Sequence, residues 1–332
     1  MYVPRRFHSA RRHAMAQMRD EDDRTVQFQT QARWRTVLAV VGVALLASQW
    51  FVALLQWPGD IPLHRIYDIP AGETMYILVS VATVLFLIAG YGSVPDRVFI
   101  IVPLGVFANI VVGMSVNRLG LPFYGDTLGT IGASVIGGPI LGLATAGLTA
   151  VLWGFSAPVM IPHVVSAAFV ALAVSYCARV SVFSSLGSVM ARGALIGLIN
   201  GMLSSLTVLV ALRGDSTPNV ESFANFFVLL CMGEVEAIIL QNLICDSIDK
   251  TFCVLIVLVL VRYLPPRPMA FFTFSGNEPR LSRILLTESE QEVKDAGRAL
   301  NELVREATGA AGTPRNEGSR APGADEQGRH RA

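Results

Sequence analysis

The chain has 332 residues, 52% of them hydrophobic and 15% charged, with a formal net charge of +1 and a mean hydropathy of +0.52. Long apolar runs and scarce charges exclude an ordinary soluble domain, and the charges crowd into the two ends and a few loops. An all-α, polytopic membrane bundle with no nucleic-acid partner is the expected class.

Residues 1–35 carry Arg5, Arg6, Arg11, Arg12, Arg33 and Arg35 around an acidic interruption at Asp20–Asp23. They lack a signal peptide's early apolar core and read as a cytosolic basic arm. Apolar spans follow at about 36–57, 74–93 and 97–116, each long enough to cross about 30 Å of hydrocarbon at about 1.5 Å per residue. Further spans lie at about 122–137 and 139–155, divided at Gly138-Pro139, then at 160–181 and 190–212. The stretch 222–264 is too long for one crossing and contains Glu234, Glu236, Asp246, Asp249 and Lys250.

Basic residues in short loops favour the cytoplasmic side. Arg33, Arg35, Arg97, Arg179 and Arg192 then fall inside, with Arg65, Arg118 and Arg213 outside. Splitting 222–264 into two crossings gives nine spans and puts Arg262, Arg267, Arg280 and Arg283 outside. Eight crossings with 222–238 as an outer or re-entrant helix keep both ends cytosolic, and that count is preferred. The expected organisation is the arm 1–35, two transmembrane helices over 36–96, a membrane core over 97–266, a cytosolic segment over 267–307 and a disordered tail over 308–332. Proline-rich loop 58–73 is outside and placed to fold over the core's mouth. Thr287 and Glu290 form a capping box opening a helix over 287–306, while the tail has almost no large apolar side chain.

The chemistry-bearing residues are few. Cys177, Cys231, Cys245 and Cys253 form no C-x-x-C pair, so neither a disulfide framework nor a zinc site is expected, and no cofactor is. A carboxylate at a membrane helix centre costs about 2.5–3.5 kcal/mol on insertion scales, so Asp126 lies near water or serves a partner or ligand. It also suits the N-cap of a helix starting near Thr127. Gly138, Gly142, Ala146 and Ala150 recur every four residues and make a flat helix face. Asp246 and Lys250 are four apart and read as a self-neutralising pair or as a pair lending one member to a solute. Asp249 projects to another side, towards Glu234, Gln241 and Cys245. Asn109, Asn200, Gln241 and Asn242 read as interhelical glue at about 1 kcal/mol each. Trp153 fits an interfacial aromatic belt, His163 a loop, and Tyr124 a stacking wall beside Asp126 for a flat heteroaromatic ligand.

Two segments carry a family resemblance. Residues 121–154, LPFYGDTLGTIGASVIGGPILGLATAGLTAVLWG, resemble the signature region of the substrate-binding S components of energy-coupling-factor (ECF) vitamin transporters, in the riboflavin-type branch. Asp246–Pro266, DSIDKTFCVLIVLVLVRYLPP, is similar to that family's last helix. The resemblance covers about residues 97–266 and implies a six-helix core, here preceded by two additional helices. It implies a vitamin-like solute bound by Tyr124, Asp126, Thr130, Asn242, Asp246, Asp249 and Lys250, with Thr130 placed by the Asp-x-x-Gly-Thr match. It further implies a plasma-membrane location and separate partners, a T subunit and two ATPase subunits, since the sequence has no P-loop. The family's Ala-x-x-x-Ala docking face is absent from 97–116, which has Gly105, Ala108 and Gly113 instead. No Gly-x-Ser-x-Gly elbow or His-Glu-x-x-His motif is present, so an enzyme is not expected. The alternatives are a membrane sensor whose 287–306 helix is an output connector, and an intramembrane enzyme using Glu234, Glu236 or Asp249.

Overall fold

The computed structural model describes residues 33–56, 70–121, 123–180, 185–212, 218–278 and 281. The arm up to residue 32, the loop over 57–69, the capping box at Thr287, the helix 287–306 and the tail 308–332 lie outside the described residues. Regular structure among the described residues is entirely helical. In chain order it runs α1 Arg33–Gln56, α2 Pro70–Gly90, α3 Asp96–Phe99, α4 Ile101–Arg118, α5 Leu128–Gly137 and α6 Pro139–Gly154. A 3₁₀ turn at Pro158–Met160 leads to α7 Val164–Arg179, α8 Leu186–Val210, α9 Pro218–Leu229, α10 Glu234–Tyr263 and α11 Pro266–Phe272.

Among the described residues four stretches are long and apolar enough to span a bilayer: Arg33–Leu55, Gly72–Gly90, Asp96–Arg118 and Leu186–Val210. A helix satisfies its backbone internally, which hydrocarbon demands. The outward faces remain apolar, with Val40, Phe51, Phe107 and Met202 all more than half exposed. Leu46, Phe86, Val102, Ile131 and Leu141 fill the interior instead. Large apolar side chains on both sides of a helix layer mark a membrane protein.

The expected span 122–137 is shorter than its apolar composition suggests. Residues 119–121 and 123–127 are not helical, with positive φ at Gly120 and Gly125, and α5 has 10 residues. At about 15 Å it covers half the hydrocarbon thickness. Nearly all of it is buried, including Thr130, Ile131, Ser134 and Val135. Protein therefore surrounds the short helix, and non-helical backbone at its end is tolerated there. Gly138, with φ 88°, and Pro139 at the start of α6 make the expected break between α5 and α6. The expected outer helix 222–238 is displaced: α9 ends at Leu229 and α10 begins at Glu234, with Cys231 at φ 64° between them. One unbroken α10 of 30 residues follows, about 45 Å long.

Three contacts bring both ends of the described chain to one end of the bundle. Arg35 donates to the Ala89 carbonyl at 3.2 Å, Arg97 to that of Phe271 at 3.1 Å, and Asn277 to that of Ile136 at 3.0 Å. The start of α1 thus shares an end with the segment after α10.

Small residues set the closest helix approaches. Gly193, Gly197 and Gly201 form a four-residue stripe on α8 that lies against the α10 backbone. A Cβ at Gly193 would be 2.7 Å from Thr251 Cα, and one at Gly201 2.7 Å from the Asn242 carbonyl oxygen. The expected stripe on α6 is also internal: Gly142 abuts Ser134 and Ala171, and Ala146 and Ala150 are buried. On α4, Gly105 meets Gly129 and Gly113 meets the Trp153 ring. Trp153, 8% exposed, is therefore a packing residue and not part of an aromatic belt.

Candidate ligand-binding site

The close approach of α8 to α10 brings polar groups of both helices together. From α10 come Asn242, Asp246 and Lys250, and from α8 come Asn200, Ser204 and Ser205. The loop 119–127 adds Tyr124 and Asp126, and the turn before α7 adds Met160 and His163. They surround a cleft of about 580 Å³ including its open mouth, lined by Tyr124, Asp126, Met160, His163, Ser166, Asn200, Ser204, Asn242, Asp246 and Lys250, among others.

Lys250 is the electrostatic centre. Its side chain is 2% exposed, and its ammonium lies 2.5 Å from Asp249, 3.3 Å from Asp126 and 3.6 Å from Asp246. The expected four-residue pair with Asp246 exists but is the longest of the three. Asp249, expected on a different side, meets Lys250 because the long lysine stem reaches back to its neighbour. Asp126 does not cap α5: Thr127 holds the N-cap position, and the Asp126 carboxylate, 27% exposed, turns to Lys250 at the mouth. The Tyr124 ring centroid is 5.7 Å from the same ammonium.

Asp249 has a separate task. It does not line the cleft; its Oδ1 accepts from the backbone N–H of Gly125 at 2.7 Å and of Tyr124 at 3.3 Å. One α10 carboxylate thereby ties the mouth loop to the bundle. Gly125 makes the turn possible, because φ is 64° and a Cβ would be 2.9 Å from Val112 Cγ1. A left-handed residue with a Cβ costs about 1–2 kcal/mol. Gly125→Ala should lower stability by at least ~1 kcal/mol and loosen the loop, measured as a fall in melting temperature and faster proteolysis near residue 125.

The remaining polar side chains pair in three groups. The Tyr124 hydroxyl donates to Asn242 Oδ1 at 3.0 Å, Asn242 donates to Ser205 at 3.3 Å, and Gln241 donates to Tyr124 at 3.4 Å. Asn200 Nδ2 donates to Asp246 Oδ1 at 2.8 Å. Asn109 does act as glue, bridging Thr130 and Thr149 at 2.9 and 3.0 Å and accepting from Gly129 N–H. Thr130 therefore belongs to the scaffold beside a smaller cavity, which also touches Asp126 and His163. Lys250 is the one lysine or arginine among the cleft's lining residues.

Of the seven residues expected at the site, Tyr124, Asp126, Asn242, Asp246 and Lys250 line one cleft, while Asp249 and Thr130 support its walls. Asn200, read as glue, lines it too, and Ser166 and Ser204 were not singled out. The signal for Asn200 and Ser204 was the small and polar face of α8, where Gly193, Gly197, Asn200, Gly201 and Ser204 follow helical spacing, whereas Ser166 on α7 had none. Among the described residues no group of three or more His, Cys, Asp or Glu suits a metal ion. No family model matches this chain, and no curated protein or solved structure matches it either.

Proposed function

We propose that this chain captures a small solute at the membrane as the S component of an ECF-type transporter. The observation carrying this reading is the cleft itself, to which the two segments that resemble the family, residues 121–154 and 246–266, contribute Tyr124, Asp126, Thr127, Asp246 and Lys250. In this reading α1, α2, α3 with α4, α5 together with the non-helical backbone 123–127 before it, α6, α7, α8 and α10 make eight crossings of the plasma membrane. The segment α9 lies on the outer face, and both chain ends are cytosolic beside the partner subunits. The cleft, at the far end of α5 from Ile136, then opens outward. A vitamin-like, riboflavin-sized molecule enters there, and release inside follows reorientation of the bundle against a T subunit powered by two ATPases. Since the described small-residue faces of α4, α6 and α8 are engaged within the bundle, docking to the T subunit uses another surface.

Capture should need no nucleotide, whereas uptake should. The test is mass spectrometry of small molecules co-purified in mild detergent, followed by binding to the chain alone and uptake in liposomes with and without the T and ATPase subunits. Concentrative, ion-driven uptake by the chain alone would overturn the reading in favour of a secondary transporter.

A further inference from the structure

We propose that the cleft takes a solute bearing a cationic nitrogen group with at least two N–H donors, such as an amidinium or an aminated heteroaromatic cation, held by Asp246 and Asn200. The proposal rests on the reading of the cleft as a solute site and narrows its substrate class. Two facts carry it.

The first is a pair of unused acceptors. Asp246 Oδ2 and Asn200 Oδ1 are buried with no hydrogen-bond partner, and both residues line the cleft at 0% and 2% exposure. Buried polar atoms are ordinarily satisfied, so each such atom calls for a partner. The Asn200 amide cannot exchange its ends to relieve this. An ionised carboxylate only accepts, so Nδ2 must face Asp246 and Oδ1 is left over. Both atoms require a donor. Thr127 Oγ1, a hydroxyl that can donate as well as accept, is a third unpaired buried atom on a residue lining the cleft, whereas Gln49 and Trp50 hold theirs elsewhere.

The second is charge. Three carboxylates, Asp126, Asp246 and Asp249, surround the single ammonium of Lys250. An anionic solute would enter an already acidic site whose one cation is committed three times over. A cationic donor group meets free acceptors and offsets the excess, and charge-assisted hydrogen bonds are the stronger kind.

The test uses the purified full chain in lipid nanodiscs with three probes of one ring size: benzamidinium, benzamide and benzoate. Titration calorimetry and melting temperature should show saturable benzamidinium binding at least tenfold tighter than the other two. Asp246→Asn, which replaces the free acceptor by an amide of the same shape, should weaken benzamidinium at least tenfold. Asn200→Ala, a second variant, should weaken it at least threefold if Asp246→Asn does not fold. Equal or tighter binding of benzoate or benzamide would overturn the proposal on the unmodified chain alone. Riboflavin, which carries no charge, is titrated in parallel. Riboflavin binding without benzamidinium binding overturns the cation proposal and keeps the solute-capture reading. Binding of none of the probes also overturns the cation proposal, leaving that reading to its own uptake test.

Discussion

Replacing Lys250 by methionine should cost the protein about 3–5 kcal/mol, the range expected when one partner of a buried ion pair is removed and the opposite charge stays behind. Here the remnant is larger than a single charge, since Asp249, Asp246 and Asp126 all lie within 3.6 Å of the ammonium. Pairing the change with Asp246→Asn should restore little, because Asp249 and Asp126 remain. Pairing it with Asp249→Asn should restore more, since an asparagine Oδ1 still accepts from Gly125 and the most buried carboxylate is neutralised. Unfolding in mixed micelles, read by tryptophan fluorescence, gives the order of the variants. A Lys250→Met protein within ~1 kcal/mol of wild type would show that the cluster is not held by this ammonium.

Gly197→Val is expected to separate α8 from α10. A Cβ at Gly197 would fall on the Asp246 carbonyl and Ser247 Cα, so the obstacle is backbone and cannot rotate away. Overpacking typically costs about 1–3 kcal/mol, and a backbone obstacle puts this change at or above the upper end. The shift also draws Asn200 from Asp246, so binding should fall with stability. Gly187→Val, on the same helix with nothing within 4 Å of its Cβ, is the control and should change melting little. Similar melting temperatures and affinities for the two variants would refute the close approach.

Some of this architecture was open to sequence reasoning because charge in an apolar chain is conspicuous. Asp126, Asp246 and Lys250 stand out for their cost in hydrocarbon, and Tyr124 and Asn242 follow as their polar neighbours. Composition likewise gives the helical membrane class, while the structure supplies four helices of spanning length. What the residues conceal is length and direction. Residues 122–137 are apolar enough for a span, yet backbone turns at Gly120 and Gly125 delay the helix to Leu128, and a glycine's φ cannot be read from hydropathy. The α8 stripe was visible as spacing but competed with an equally regular one on α6, and only packing distinguishes them. Asp249 illustrates the same limit. Helical spacing turns it away from its chain neighbour Lys250, whereas side-chain length and a distant loop decide what it touches.

The bond between Asp249 and the mouth loop gives the protein an internal reporter. Loop amides ordinarily exchange hydrogen with water quickly, but those of Tyr124 and Gly125 donate to a fully buried carboxylate. Their exchange requires the loop to leave α10, so their protection factors measure the free energy of opening the mouth. A solute that holds the mouth shut slows those two amides selectively, and deuterium uptake of a peptide spanning residues 120–128 registers occupancy without any label on the ligand.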